Sequence, residues 1–433
     1  MSSNAAINNA LPAMAGAAGM TSGYKATVFL YLPGGNDGHN TVYPVNAPYY
    51  ERYRAPRPDI AFGSGEGTLL NVTAGSQGRT LRMHPAMPKL AARFNAGKMA
   101  ILANVGMLSK PLTRAQWLAG PAPQDQPINL FSHSDQALHW STLTPNDQGQ
   151  GNGWGGRAMD LFDPAWNPSK SVSTRISVAG NTMTLVGYDD AQYQCGVDGA
   201  QEIGYQYFPA VDAALKNILN EANTNVFERA YERIEKRSRV SASAVNTALA
   251  AVPALQAAFP GSYFGSQLKM VARLIQARGS LGHRRDVFYV SLGGWDHHSN
   301  QRSAQNDLLA AVDNGLDAFR AAMEEIGQQD NVVLCTGSDF GRTLQQNGDG
   351  TDHGWGSHHL ILGGNVKGGV IHGTFPDCGL DTDCDAGQGR LLPTTSVDEY
   401  IANIARWMGV PPSAVPAMIP NIGKFPNTLN MFN

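Results

Sequence analysis

Three glycine-rich segments carry most of the side chains in this sequence that could do chemistry. They are Gly34-Gly35-Asn36-Asp37-Gly38-His39-Asn40, Gly293-Gly294-Trp295-Asp296-His297-His298 and Asp352-His353-Gly354-Trp355-Gly356-Ser357-His358-His359. Asp and His are side chains that bind zinc, manganese, iron and related ions. Glycine lets loop backbone approach a ligand closely. Each segment follows or adjoins an apolar run that reads as a buried strand. The simplest account is one polar pocket, bearing a metal, built from loops at the ends of several strands.

Each candidate has a chemical and a plain structural reading. Asp296 and His298, two residues apart, can both face a metal in an irregular loop; alternatively Asp296 caps the next helix and the histidines are exposed. Asp339, after an apolar strand, can ligate a metal or orient a ligand. Arg342 can bind an oxyanion with its planar fork, or pair with Asp339 to pin the loop. Of His353, His358 and His359, at least one is expected in the site, although His359 begins a buried strand. Ser132 beside His133 could be a nucleophile whose hydroxyl a metal activates. Adjacent side chains point apart, and Ser near a helix start is also a common N-cap. Asp37 is a metal ligand or a turn residue.

The elements that must position these residues read as α/β. Ala26–Leu32, Met99–Val105, Asp286–Leu292, Asn331–Thr336 and His359–Leu362 are short apolar runs of strand type, several closed by Gly pairs. Leu309, Val312, Leu316, Phe319, Met323 and Ile326 recur at steps of three and four and mark one apolar helix face. The order strand–helix–strand over residues 286–336 predicts a parallel pair with a crossover helix. Open parallel sheets bind ligands beyond the carboxyl ends of their strands, where Asp37, Asp296 and Asp339 would all lie. Val211–Arg239 reads as one long helical stretch, Leu268–Arg278 as another, and residues 200–280 as a possible helical insertion or lid. Thr144–Gly156 reads as a loop.

Composition narrows the class. With 433 residues, a net charge of −3 and only 15% charged residues, the chain lacks the clustered basic surface of a nucleic-acid binder. No run of 18 apolar residues is present, which argues against a membrane span. The first 24 residues carry no charge; Leu11–Met20 reads as the tail of an export signal or as a flexible N-terminal tail over residues 1–23. Cys378 and Cys384 flank a Gly/Asp loop and are expected to form a local disulfide in an oxidising compartment; Cys335 reads as a buried thiol.

Taken together, GGNDGHNTVYP, FSHSDQ, GWGGR, VARLIQA, FYVSLGGWDHHSNQ, SDFGRT, DHGWGSHHLILGG and LLPTTSVDEYIANIARWMGV resemble the bacterial domain of unknown function 1501 family, from about Tyr24 to Phe432. That family resembles the alkaline phosphatase and sulfatase superfamily, and its members typically carry twin-arginine export signals. The resemblance implies a doubly wound, mostly parallel α/β fold in a single domain over residues 24–433, placed in the periplasm or secreted. By position, Asp37 resembles the first-strand metal Asp and Ser132 the nucleophile. Asp296 with His298 resembles the Asp/His metal pair, Asp339 the Asp of a later Asp-His pair, and His353 or His358 the last His. The chain departs from that pattern in having Phe340 after Asp339, and in lacking a Cys-x-Pro-x-Arg segment. The expectation is an exported hydrolase of a small-molecule or polymer phosphate or sulfate ester. It would use a divalent zinc, manganese or calcium ion, with Ser132, His133 and Arg342 in catalytic positions. A secreted binding protein on the same fold and a metal-dependent oxidoreductase are the alternatives.

Overall fold

The computed structural model describes residues 3–18, 23–147, 151–167, 171–201, 208–221, 224–426 and 428–433. Its centre is a nine-stranded sheet. The strands are β1 (Lys25–Leu32), β2 (Met99–Gly106), β3 (Arg175–Ser177), β4 (Tyr193–Gln194), β5 (Arg285–Ser291), β6 (Val332–Ser338), β7 (Ser357–Gly363), β8 (Ile371–His372) and β9 (Thr395–Ser396). The order is β8-β2-β7-β6-β1-β5-β3-β4, with β9 also on β2. Every pairing in it is parallel except those of β7, which runs against both β2 and β6.

β1 shows why the sheet lies in the middle of the molecule. Seven of its eight residues are buried. A strand sends alternate side chains to opposite faces, and here both faces are apolar. Ala26, Val28, Leu30 and Leu32 join one core, whereas Phe29 and Tyr31 join the other. A strand covered on both sides is what a doubly wound parallel sheet requires.

We number the helices that cover these faces, with one N-terminal helix, α1 (Ser3–Ala18), α2 (His133–Thr142), α3 (Trp154–Trp166), α4 (Val226–Ala251), α5 (Tyr263–Gln276), α6 (Gln301–Glu325) and α7 (Val397–Met408). On one face α6 buries Leu309, Val312, Leu316, Phe319 and Met323, the predicted stripe, against the core that also takes Phe264 and Leu268 of α5. On the other face α3 and α7 contribute Trp154, Phe162, Ile401 and Ile404. The fold is the expected doubly wound α/β type.

Several local expectations differ from the structure. β5 and β6 are parallel and linked through α6, but they flank β1 instead of pairing with each other. The stretch predicted as one helix over Val211–Arg239 is two, Pro209–Asn220 and α4, with a break that includes residues 222–223 outside the described set. Within the proposed insertion, α5 is part of the main core and packs on α6. The loop expected over Thr144–Gly156 gives way to α3 at Trp154, and residues 148–150 lie outside the described set. Where a flexible tail was expected, α1 is a helix. Its Ile7, Ala10 and Met14, spaced three and four apart, are buried against the core that contains α3. Cys378 and Cys384 are free thiols in the structure, so the expected disulfide is not formed. Cys378 is buried, and burial pushes its thiol up to about 12.

The connection between β6 and β7 is what builds the functional end. β6 leaves the sheet into the antiparallel hairpin of Arg342–Asn347 and Gly350–His353, and the chain re-enters as β7 in the opposite direction. A direct return of this kind makes neighbouring strands antiparallel. It keeps Asp339, just past β6, and His353, just before β7, at the same edge of the sheet.

Candidate metal centre

At the carboxyl ends of β1, β5 and β6, side chains from three distant segments converge. One donor atom each from His133, Asp296 and His353 fall within 4.8 Å of one another. His133 Nε2 is 3.4 Å from Asp296 Oδ2, and His353 Nε2 is 3.4 Å from Asp296 Oδ1. Two donors at about 2.0–2.1 Å from one tetrahedral ion are about 3.3–3.4 Å apart; each His–Asp separation matches this, though to a different Asp296 oxygen. His298 stands alongside, with Nε2 3.0 Å from Asp296 Oδ1 and 3.1 Å from His353 Nε2.

The far sides of the imidazole rings explain which nitrogen is offered. His133 Nδ1 lies 2.7 Å from Asp339 Oδ2, and His353 Nδ1 lies 2.7 Å from the Phe131 carbonyl. Carboxylate and carbonyl oxygens only accept, so each Nδ1 carries a proton, and in the neutral ring each Nε2 keeps its lone pair. His298 Nδ1 faces Asp352 Oδ1 at 3.4 Å. Metal-binding histidines are held in this way, the second ring nitrogen donating to an oxygen. His133 Nε2 is buried with no hydrogen-bond partner. A cation-sized acceptor would satisfy that lone pair, and the residues present therefore fit a divalent metal.

Electrostatics agree. Burial pushes the His353 ring down from its ordinary value, and nearby His133 and Arg342 push the same way against the Phe131 hydrogen bond. The ring is therefore neutral and available as a ligand. Burial pushes the Asp296 carboxyl up, but the hydrogen bond and charge of Arg342 reverse this and leave it below the usual carboxylate range. The ring of Phe340 walls the cluster, 4.8 Å from the His133 ring centre and stacked 4.7 Å from that of His353.

Comparison with known sequences identifies the group to which this chain is related: a family described as protein of unknown function (DUF1501) matches residues 24–413. The chain belongs to the DUF1501 family. No curated protein matches it. Among solved structures it is similar to the PsFucS1 sulfatase from Pseudoalteromonas sp., with a TM-score of 0.37, 10% identity, and 99% of this chain and 74% of that one covered. It is also similar to the C-terminal periplasmic domain of EcEptC from Escherichia coli, with a TM-score of 0.34, 11% identity, and 90% and 83% covered. A third is the soluble domain of lipooligosaccharide phosphoethanolamine transferase A from Neisseria meningitidis, with a TM-score of 0.35, 10% identity, and 92% and 94% covered. The fold stands on this DUF1501 chain's own sheet, not on these likenesses.

The remaining candidates of this DUF1501 protein are placed as follows. Asp339 is beside the centre but turned away from it, with both oxygens engaged by Tyr31, Gly34 and His133. Arg342 is buried and its fork is used internally, on Asp296 Oδ1, the Gly34 carbonyl and Thr351. It bears on the centre through Asp296. Ser132 occupies the N-cap position of α2 without capping it through its side chain; its hydroxyl donates to Asp135 Oδ2 at 2.5 Å. Asp37 lies in a separate buried pocket, accepting from Arg57 Nη1 at 2.7 Å, Gln301 Nε2 at 2.6 Å and the His39 amide. His358 is buried, and its Nδ1 accepts from the Asn104 amide at 3.1 Å. Its proton therefore sits on Nε2, the reverse of His133 and His353.

Sequence reasoning did not single out Tyr31, the Phe131 carbonyl or Asp352 as holders of the histidines. A carbonyl leaves no trace in a sequence. Tyr31 could have been noticed as a hydroxyl near the end of a largely apolar central strand, shortly before a Gly-rich loop.

Proposed function

We propose that this protein is a metal-dependent hydrolase of a phosphate or sulfate ester. The observation that carries the reading is the convergence of His133, Asp296 and His353 on one point, with the His133 and His353 Nδ1 protons committed to oxygens behind the rings. His298 completes a four-residue set in this proposal. A divalent cation held there would act as a Lewis acid on an ester oxygen and lower the pKa of a nearby hydroxyl or water.

The chain's own residues would do the rest. Arg342 holds Asp296 in place, and the hairpin brings His353 to the sheet end. Phe340 keeps water from one side of the cluster. Ser132, one residue before His133, is the protein hydroxyl we place as nucleophile, with Asp135 as the carboxylate that accepts from it. The family resemblance supports a periplasmic or secreted location in this proposal.

The test is turnover of an aryl phosphate and an aryl sulfate by the wild type and by Ser132→Ala, each loaded with zinc, manganese or calcium. The proposal expects wild-type turnover of one ester class and its loss in Ser132→Ala with metal content unchanged. Full activity in that variant would make water the nucleophile. No turnover of either class by the wild type with any of the three ions would refute the hydrolase reading.

A further inference from the structure

Resting on the metal reading above, we infer that Asp339 and Tyr31 form a positioning pair that locks His133 with its proton on Nδ1, so that Nε2 is presented to the centre, and that Asp339 is not itself a ligand.

The geometry separates the two roles. Asp339 is 3% exposed, and its oxygens are already taken. Oδ1 accepts from the Tyr31 hydroxyl, and Oδ2 accepts from the Gly34 amide at 2.9 Å and from His133 Nδ1 at 2.7 Å. Gly34 is fitted to this task. Its φ is +117°, and a Cβ there would stand 2.5 Å from the Asp296 amide nitrogen. A larger residue would push the loop off the Asp296 segment and draw the Gly34 amide away from Asp339. Burial, reinforced by the Asp339 charge, holds the Tyr31 phenol far above its ordinary value, so it remains a donor.

Two carboxylates face the ring nitrogens of His133. Asp339 Oδ2 is 2.7 Å from Nδ1; Asp296 Oδ2 is 3.4 Å from Nε2. A hydrogen bond at 2.7 Å is well formed, whereas 3.4 Å is near the limit of one. Asp339 therefore wins the proton. Without it, the proton would move to Nε2 and point at Asp296, which blocks the donor face. Groups in this position orient a metal-binding histidine and raise its basicity, and their loss typically costs 10–100-fold in metal affinity.

The experiment uses the full chain, freed of metal with a chelator and labelled with 15N at histidine. Long-range 1H–15N correlation spectra, with His133 assigned by His133→Gln, report which nitrogen holds the proton. The expected wild-type pattern is Nδ1–H. Asp339→Ala should move His133 to Nε2–H or to a mixture. Asp339→Asn, whose amide oxygen can still accept, should restore Nδ1–H, and Tyr31→Phe should fall between. In a chelator-competition titration with zinc, Asp339→Ala should keep the wild-type stoichiometry and bind about 10–100-fold more weakly, with part of the loss recovered in Asp339→Asn. A wild-type His133 carrying its proton on Nε2 would overturn the inference. So would loss of zinc stoichiometry in Asp339→Ala with the His133 tautomer unchanged, which would make Asp339 a ligand. Wild-type protein that shows the Nδ1–H pattern and takes up no zinc would confirm the lock and remove the metal reading. Tyr31→Phe and Asp339→Asn keep the test open if Asp339→Ala does not fold.

Discussion

Two Asp–His clusters lie at the same end of this sheet, and they use the same residue types in opposite ways. Around Asp37 the carboxylate itself is closed off. The carboxylate is matched by Arg57, both side chains essentially without solvent contact. Nearby His84 and His358 each accept a backbone amide at Nδ1, at 3.1 Å. Around Asp296 the carboxylate is 44% exposed and Nδ1 of the flanking histidines donates outward, leaving Nε2 lone pairs pointing inward. A carboxylate paired with a buried guanidinium, next to histidines whose Nε2 carries the proton, is structural. A carboxylate open on one side and faced by histidine Nε2 atoms is, in our proposal, a cation site. The hydrogen bond behind each ring decides which, and residue type does not.

The largest effect should come from breaking the closed cluster. Arg57→Met leaves the Asp37 carboxylate buried without its partner, and Arg57 also donates to Asn40 and to the Leu344 and Thr343 carbonyls. Removing one partner of a buried pair typically costs about 3–5 kcal/mol. Urea denaturation should show a loss of that size, while metal per folded chain stays at the wild-type level. Loss of metal with little change in stability would put Asp37 in the metal site and dissolve the contrast.

Acid should next reveal the buried histidines. Burial pushes His84 and His358 down to about 4, and His39 and His359 to about 3, from an ordinary 6.5. These rings are neutral when folded and take up protons on unfolding. Their depressed folded values give stability that is fully present above 6.5. It is lost as pH falls from 6.5 towards 3, where the unfolded chain binds more protons. Burial also pushes the Asp37 carboxyl up, but Arg57 and the His39 amide outweigh this and hold it below its ordinary 3.8, which adds a further loss at still lower pH. The urea midpoint should therefore drop steadily below pH 6.5. A midpoint flat from pH 7 to pH 4 would contradict this account of the closed cluster.

Much of this was legible in the sequence. The strands Ala26–Leu32 and Asn331–Thr336 and the stripe on α6 were visible because burial on both faces, or on one face, writes a hydrophobic period. The rule that ligands gather beyond strand ends placed Asp296 and Asp339 correctly near one another. It could not separate Asp37 from them, because the separation is made by Arg57, distant from both in the pattern. Nor could it assign tautomers, since these depend on the Phe131 carbonyl and the Asn104 amide. The helix α1 was missed because an uncharged Ala/Gly-rich run reads as a tail, although Ile7, Ala10 and Met14 have helical spacing.

The smallest effect should come from Asp352→Asn. Its carboxylate is partly exposed and sits 3.4 Å from His298 Nδ1. Exposed charge pairs contribute about 0.2–1 kcal/mol, so zinc affinity should fall by less than about fivefold. A drop as large as that expected for Asp339→Ala would mean that exposure does not rank these outward acceptors.

The central claim is that His133, Asp296 and His353 share one cation and that Asp37 does not. Elemental analysis of metal per chain, in the wild type, Asp296→Ala and Asp37→Asn purified alike, tests it most directly. The account predicts one divalent ion per chain in the wild type and in folded Asp37→Asn, and almost none in Asp296→Ala. Metal retained in Asp296→Ala, or lost from folded Asp37→Asn, would contradict it.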